Sequence, residues 1–155
     1  MKKFVIATVL AFAPILGFAA PVFADSPGEL TNAATNYEVK NVTRGGAYGQ
    51  TADATCDETV KFSVLLANKD FGLLKNLTIK ANLGSGAISA SATNAAGSAT
   101  SVSGSAKVNV AKGSLAYVTG STVRISSDGA TRTPLADGIT TGGVNAGELK
   151  GSTQT

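Results

Sequence analysis

Val60-Lys61-Phe62-Ser63-Val64-Leu65-Leu66 decides the fold class of this chain. Val60, Phe62, Val64 and Leu66 alternate with Lys61, Ser63 and Leu65, so one side is apolar and the other mostly wet. That is the period of a β-strand with one face on a core. A polar corner, Asn68-Lys69-Asp70, then reverses the chain. Beyond it Leu77, Ile79, Ala81 and Leu83 alternate with Thr78, Lys80 and Asn82, which predicts a second strand by the same logic. Phe62 and Leu77 are therefore expected to face each other across the core.

Working outward, Tyr37, Val39 and Val42 mark an earlier strand, closed by Arg44-Gly45-Gly46 and a polar loop running to Asp57. Downstream, Ile88, Ala90 and Ala92 alternate with small polar residues. After a turn at Asn94 to Gly97, the period returns at Val102, Gly104, Ala106, Val108 and Val110, which reads as a hairpin of light strands. Leu115, Tyr117 and Val118, a break at Gly120, then Val123 and Ile125 form the next strand signal, ended by Ser127-Asp128-Gly129. The tail sets single apolar residues among turn formers and reads as loop. Helical periodicity is absent after residue 24, and short alternating strands with regular turn signals predict an all-β antiparallel sandwich, with a barrel as the alternative.

Composition agrees. Only 15% of residues are charged and 6% aromatic, with 18 glycines, which is poor material for a charged helix bundle. Disorder goes with low hydrophobicity and high net charge, and this chain has neither.

Residues 1–24 read as an export signal. Lys2 and Lys3 form a basic start, Phe4 to Phe18 is almost wholly apolar, and Val22-Phe23-Ala24 offers a small-residue cleavage site. A membrane span needs about twenty apolar residues, and this run is shorter and interrupted by Pro14 and Gly17. Cleavage is expected to leave Asp25 at the N-terminus, with 25–36 a flexible segment, since Ser26-Pro27-Gly28 gives it no reason to order. Residues 37–155 then form one domain, large enough to bury a core. With Lys2 and Lys3 set aside, thirteen Lys plus Arg become eleven against ten Asp plus Glu, all of them after Ala24. The basic residues are scattered singly, which argues against a nucleic-acid surface.

Chemistry-bearing residues are few. Cys56 stands alone, so no disulfide can form within the chain, and it is expected to be a half-buried residue beside the start of a strand. With no His and one Cys, the usual zinc ligand sets cannot be assembled. Asp53, Asp57 and Glu58 cluster near Cys56, and Asp128 and Asp137 sit in loops. No D-x-D-x-D-G spacing for calcium occurs, so they read as solvated acids. Ser121 lacks a His base and the G-x-S-x-G elbow, and reads as a turn residue. Asn41-Val42-Thr43 and Asn76-Leu77-Thr78 match the N-glycosylation acceptor pattern in a Thr-rich chain, and neither is counted as a site. No catalytic, cofactor-binding or metal-binding residue is assigned.

Four blocks in order carry a resemblance. Cys56-Asp57-Glu58-Thr59-Val60-Lys61-Phe62-Ser63-Val64 with Asn68, then Leu74-Lys75-Asn76-Leu77-Thr78-Ile79, resembles the opening half of the bacterial DUF11 repeat domain. Leu115 to Thr122 resembles its tyrosine and Gly-Ser-Thr block, and Leu135-Ala136-Asp137-Gly138-Ile139 with Gly143 to Leu149 resembles its terminal blocks. Two departures are Leu83-Gly84 in place of the usual Leu-Pro and a long light segment from Ser85 to Lys112. The resemblance implies an immunoglobulin-like sandwich used as a module on bacterial surfaces, with no established enzyme activity. It also implies a further apolar strand after Leu149, where this chain turns polar, so the sandwich is expected to lack its final strand, either because the sequence is part of a longer surface protein, the favoured reading, or because the open edge accepts a strand from another molecule.

These readings give an exported structural or adhesive module of the cell surface, without catalysis or cofactor. Cell-envelope or surface proteins are the expected partners, with no nucleic acid and no membrane span after cleavage. The alternative is a secreted carbohydrate- or cation-binding sandwich, although Tyr37, Tyr48 and Tyr117 are the only tyrosines and there is no Trp for sugar stacking.

Overall fold

Period-two alternation becomes strand along most of the chain in the computed structural model, which describes residues 26–31 and 36–151. The strands, in chain order, are β1 (Leu30–Thr31), β2 (Tyr37–Asn41), β3 (Thr51–Ala54), β4 (Val60–Val64), β5 (Ala67–Asn68) and β6 (Lys75–Asn82). They continue with β7 (Ala87–Thr93), β8 (Ala99–Ser105), β9 (Lys107–Val110), β10 (Val123–Ile125), β11 (Arg132–Pro134) and β12 (Val144–Asn145). The protein is all-β, and every strand pair but one is antiparallel. The leader and its cleavage site lie outside the described residues.

The largest sheet is antiparallel, in the order β12-β6-β7-β8. Its inner face is built from the alternation seen in the sequence. Leu77 of β6 and Ala90 and Ala92 of β7 are buried, together with Leu74, Ala146 and Leu30 of β1. Full burial of a leucine contributes about 1.5–3 kcal/mol, so Leu74, at 0% exposure, is a principal anchor. The second layer is a ribbon of β2 on β4, extended by β1 on β5. On its far side β2 meets Gly49, which exchanges two backbone hydrogen bonds with Val39 at 2.7 and 3.1 Å. Beyond Gly49, β3 runs parallel to β9. Tyr37 and Val39 are fully buried, and the Tyr37 ring lies against Gly104 of β8, where a Cβ would run into it.

Four expectations are corrected by partners too distant in sequence to be read. The polar loop from Arg44 to Asp57 contains a strand, β3, stabilised by pairing with β9. Leu115 to Val118 is not a strand, and only Val123–Ile125 of that signal is, in a hairpin with β11. Val102 to Val110 is not one strand. It breaks at buried Ala106, where the chain leaves the first sheet (β8) and joins the second layer (β9). Asn68, expected at a polar corner, is a buried strand residue at 5% exposure.

The segment expected to be loose, 25–36, contributes Leu30 at 3% exposure to the core, with β1 paired to β5. Residues 32–35 lie outside the described residues. Phe62 also departs from expectation. Leu77 packs in the main core while Phe62, on a strand with a neighbour on one side only, is half-buried.

The edge where a final strand was expected to be missing is filled by the tail. Val144 and Asn145 pair with Ile79 and Thr78, and Leu149 exchanges hydrogen bonds with Leu74 at 3.0 and 2.9 Å. On the other side of β6, a bulge between Lys75 and Thr78 interrupts its ladder with β7. Asn76 at φ 54° and Gly147 at φ 87° both adopt the left-handed region, which Gly and Asn enter most readily.

Candidate functional site

Polar side chains gather in three places, each made by loops that the strands bring together. The first lies at the end of β2. Asn41 is buried at 5% exposure, and an amide there must find partners or lose the energy of desolvation. Its Nδ2 donates to the Asp53 carbonyl at 2.9 Å and to Glu58 Oε2 at 3.0 Å, and its Oδ1 accepts from the Arg44 N–H at 3.0 Å. Glu58 also accepts from Arg44 Nε at 2.6 Å and from the Thr55 N–H at 2.8 Å. The Arg44 hydrogen bond is the largest cause that lowers the Glu58 pKa, to about 2, with the Thr55 N–H next. A carboxylate held that low is a permanent acceptor near neutral pH, unsuited to proton transfer.

Beside this brace a shallow depression lies over the parallel pair β3–β9, lined in part by Arg44, Asp53, Thr55, Lys107 and Asn109. Asp53 accepts from Asn109 Nδ2 at 2.9 Å, and Arg44 is paired with Glu58. The expected acid cluster is thus divided. Asp53 bonds across to β9, Glu58 turns to Arg44, and Asp57 sits on a turn at φ 64°. Among the described residues no group of three or more His, Cys, Asp or Glu could hold a metal ion. Cys56, expected to be half-buried, is exposed because the chain turns outward there before β4 begins, and its thiol approaches the Lys112 carbonyl at 3.6 Å.

The second gathering joins two blocks that the sequence sets apart. Asp137 accepts from Tyr117 Oη and from the Gly120 N–H, each at 2.7 Å, and Tyr117 Oη lies 2.9 Å from Thr122 Oγ1. The Gly120 N–H, then Tyr117, lower the Asp137 pKa. Ser121 is a turn residue, its N–H bonded to the Val118 carbonyl at 3.2 Å. In the neighbouring β10–β11 turn, Asp128 accepts from Ser126 Oγ and from the Ala130 N–H, which lower its pKa in that order.

The third was missed by sequence reasoning. Arg124 of β10 sends Nη1 to the Ala146 carbonyl at 2.7 Å and Nη2 to the Glu148 carbonyl at 2.8 Å. Arg124 thereby holds two carbonyls of the tail that follows β12. Asn68 was also misread, as a corner. Its Nδ2 donates to the Gly72 carbonyl at 2.5 Å and the Leu149 carbonyl at 3.3 Å, and its Oδ1 accepts from the Glu29 N–H at 3.1 Å. One amide therefore ties together Glu29 just before β1, Gly72 between β5 and β6, and Leu149 in the tail after β12. The available signal was an Asn directly after the apolar run Val64-Leu65-Leu66-Ala67.

No family model, curated protein or solved structure matches the chain. The two acceptor patterns differ sharply in access. Asn41 has both amide protons engaged and is buried, whereas Asn76 is exposed on the bulge. The tyrosines form no shared platform: Tyr37 is buried, Tyr117 is bonded to Asp137, and Tyr48 lies under Lys40 Nζ, 4.6 Å from the ring centroid. No helix among the described residues is long and apolar enough to cross a membrane.

Proposed function

We propose that the chain is an exported structural or adhesive module of the bacterial cell surface, an immunoglobulin-like sandwich akin to the DUF11 repeats, and not an enzyme. The leader-like residues 1–24 support export, and the ordered blocks from Cys56 to Leu149 support the kinship. The observation that carries the reading is how the polar side chains are used. Asn41, Glu58, Asn68, Arg124 and Asp137 each hold two or more backbone or side-chain groups of distant loops, so they serve to brace the fold. Among the described residues no buried side-chain nitrogen or oxygen is left without a partner to receive a substrate. A module of this kind works through its shape and its surface.

Expression of the full chain in a bacterial host, followed by fractionation and N-terminal sequencing, tests export. The expected product begins at Asp25 and is reached by protease on intact cells. An uncleaved chain retained inside the cell overturns the reading. Titration of the exported chain with cell-wall polysaccharide and with calcium tests the alternative, and saturable binding of either at micromolar levels would favour a carbohydrate- or cation-binding module instead.

A further inference from the structure

Among the described residues no strand pairs with the outer edge of β4, whose alternate residues Val60, Phe62 and Val64 are apolar. β4 has β2 as its single strand neighbour. Across that ladder Val39 lies opposite Phe62, Tyr37 opposite Val64 and Asn41 opposite Val60. Val39 gives both its N–H and its C=O to Gly49, on the side away from β4. The bonds between β2 and β4 therefore run through the alternate residues, as the flanking contacts Val42 N–H to Thr59 C=O and Leu65 N–H to Asn36 C=O also require. It follows that the N–H and C=O of Val60, Phe62 and Val64 point outward. Their side chains share the face of buried Tyr37 and Val39 but are only half covered. An edge of this kind is a template for strand addition.

The sequence of the edge selects its occupant. Val60-Lys61-Phe62-Ser63-Val64 has the same apolar and polar pattern in both directions about Phe62. Two copies related by a two-fold axis through Phe62 would set Val60 opposite Val64 and Phe62 opposite Phe62. Each outward N–H and C=O would then meet its complement. On the solvent face Lys61 would lie opposite Ser63 of the other copy, so no like charges meet. Centring on Lys61 would set Lys61 against itself, which is unfavourable, and centring on Ser63 would leave Val60 unpaired. We infer that this edge is a self-docking surface: two copies join β4 to β4, antiparallel about Phe62, into one sheet continuous across both molecules. The inference stands independently of export and kinship.

A contact through a five-residue strand falls below the roughly 1,000 Å² of a stable interface, so the pairing is weak and reversible, with a Kd on the order of 0.1 mM. Sedimentation of the exported chain from about 10 μM to about 1 mM should show a monomer–dimer equilibrium in that range. Amide exchange followed over the same range should show protection of Val60, Phe62 and Val64 rising with concentration, while Lys61 and Ser63, bonded to β2 already, stay constant. Ser63→Lys sets Lys61 against the new lysine at two symmetric places and should weaken the dimer at least about tenfold. Adding Lys61→Glu to that variant makes those pairs opposite in charge and should restore the affinity to within about threefold of the parent. A melt of each variant separates loss of pairing from loss of fold. A chain that stays monomeric to about 1 mM, or a dimer in which the Val60, Phe62 and Val64 amides remain unprotected, overturns the inference.

Discussion

Two of the sheet edges, that of β4 and that formed by β12 and the tail to Leu149, are managed in opposite ways. The terminal edge carries Arg124 across the Ala146 and Glu148 carbonyls, and it has buried Leu74 and Leu77 directly beside it. With the guanidinium bonded to them, these two carbonyls are already engaged and less available to an added strand, which is one way to blunt an edge. At β4 no side chain among the described residues is seen to do this, and the half-covered side chains of Val60, Phe62 and Val64 lie along it. The difference teaches that a sequence pattern of alternating residues does not indicate which strand closes a sheet and which leaves it open. A guard must come from elsewhere in the chain.

The contrast is tested first in the core. Leu74→Ala should destabilise the chain by about 2–5 kcal/mol in a denaturant melt, because Leu74 is fully buried. Phe62→Ala should cost about 1–2 kcal/mol, since its half-exposed ring loses less on truncation. Equal losses would place Phe62 as deep in the core as Leu74, beside the terminal edge, and remove the difference between the edges.

A smaller effect tests the guard. Arg124→Ala removes two charge-assisted hydrogen bonds and should cost about 1–3 kcal/mol. It should also speed amide exchange in 144–149 and produce new, concentration-dependent association. If the variant associates no more than the parent, Arg124 merely fixes the β10–β11 hairpin and the terminal edge is protected in another way.

The smallest effect concerns the brace beside β4. Folding depresses the Glu58 pKa from 4.5 to about 2, chiefly through Arg44. A depressed carboxylate stabilises the fold fully above its unfolded pKa, and that contribution is lost as pH falls from about 4.5 through about 2. The melting temperature should therefore drop over this window, and less steeply in Glu58→Gln. Asp128 and Asp137, also depressed, should leave a residual slope in the variant. Parallel curves for parent and variant would show that Glu58 gains nothing from Arg44.

Much of the strand pattern was legible and much of the bracing was not, for a single physical reason. Burial of one face imposes a period of two on every half-covered strand, so Tyr37–Asn41, Val60–Val64, Lys75–Asn82 and Ala87–Thr93 could be read from local sequence. β3 could not, because Thr51-Ala52-Asp53-Ala54 is stabilised as a strand by β9, fifty-six residues away. Leu30 is a lone apolar residue in a polar segment, and nothing local shows that β5 will pair with it. Of the acids noted from the sequence, Glu58 and Asp137 prove structural once Arg44 and Tyr117 are seen beside them.

The sequence by itself determined an all-β chain, the inward faces of its main strands, and the outward-reading symmetry of Val60 to Val64. Those are consequences of side-chain order along one strand. Tertiary structure alone decided which edges are closed. Arg124 reaches carbonyls twenty-two and twenty-four residues further on, and a backbone carbonyl has no residue type to give it away. Where such a group points depends only on the strands that pack around it.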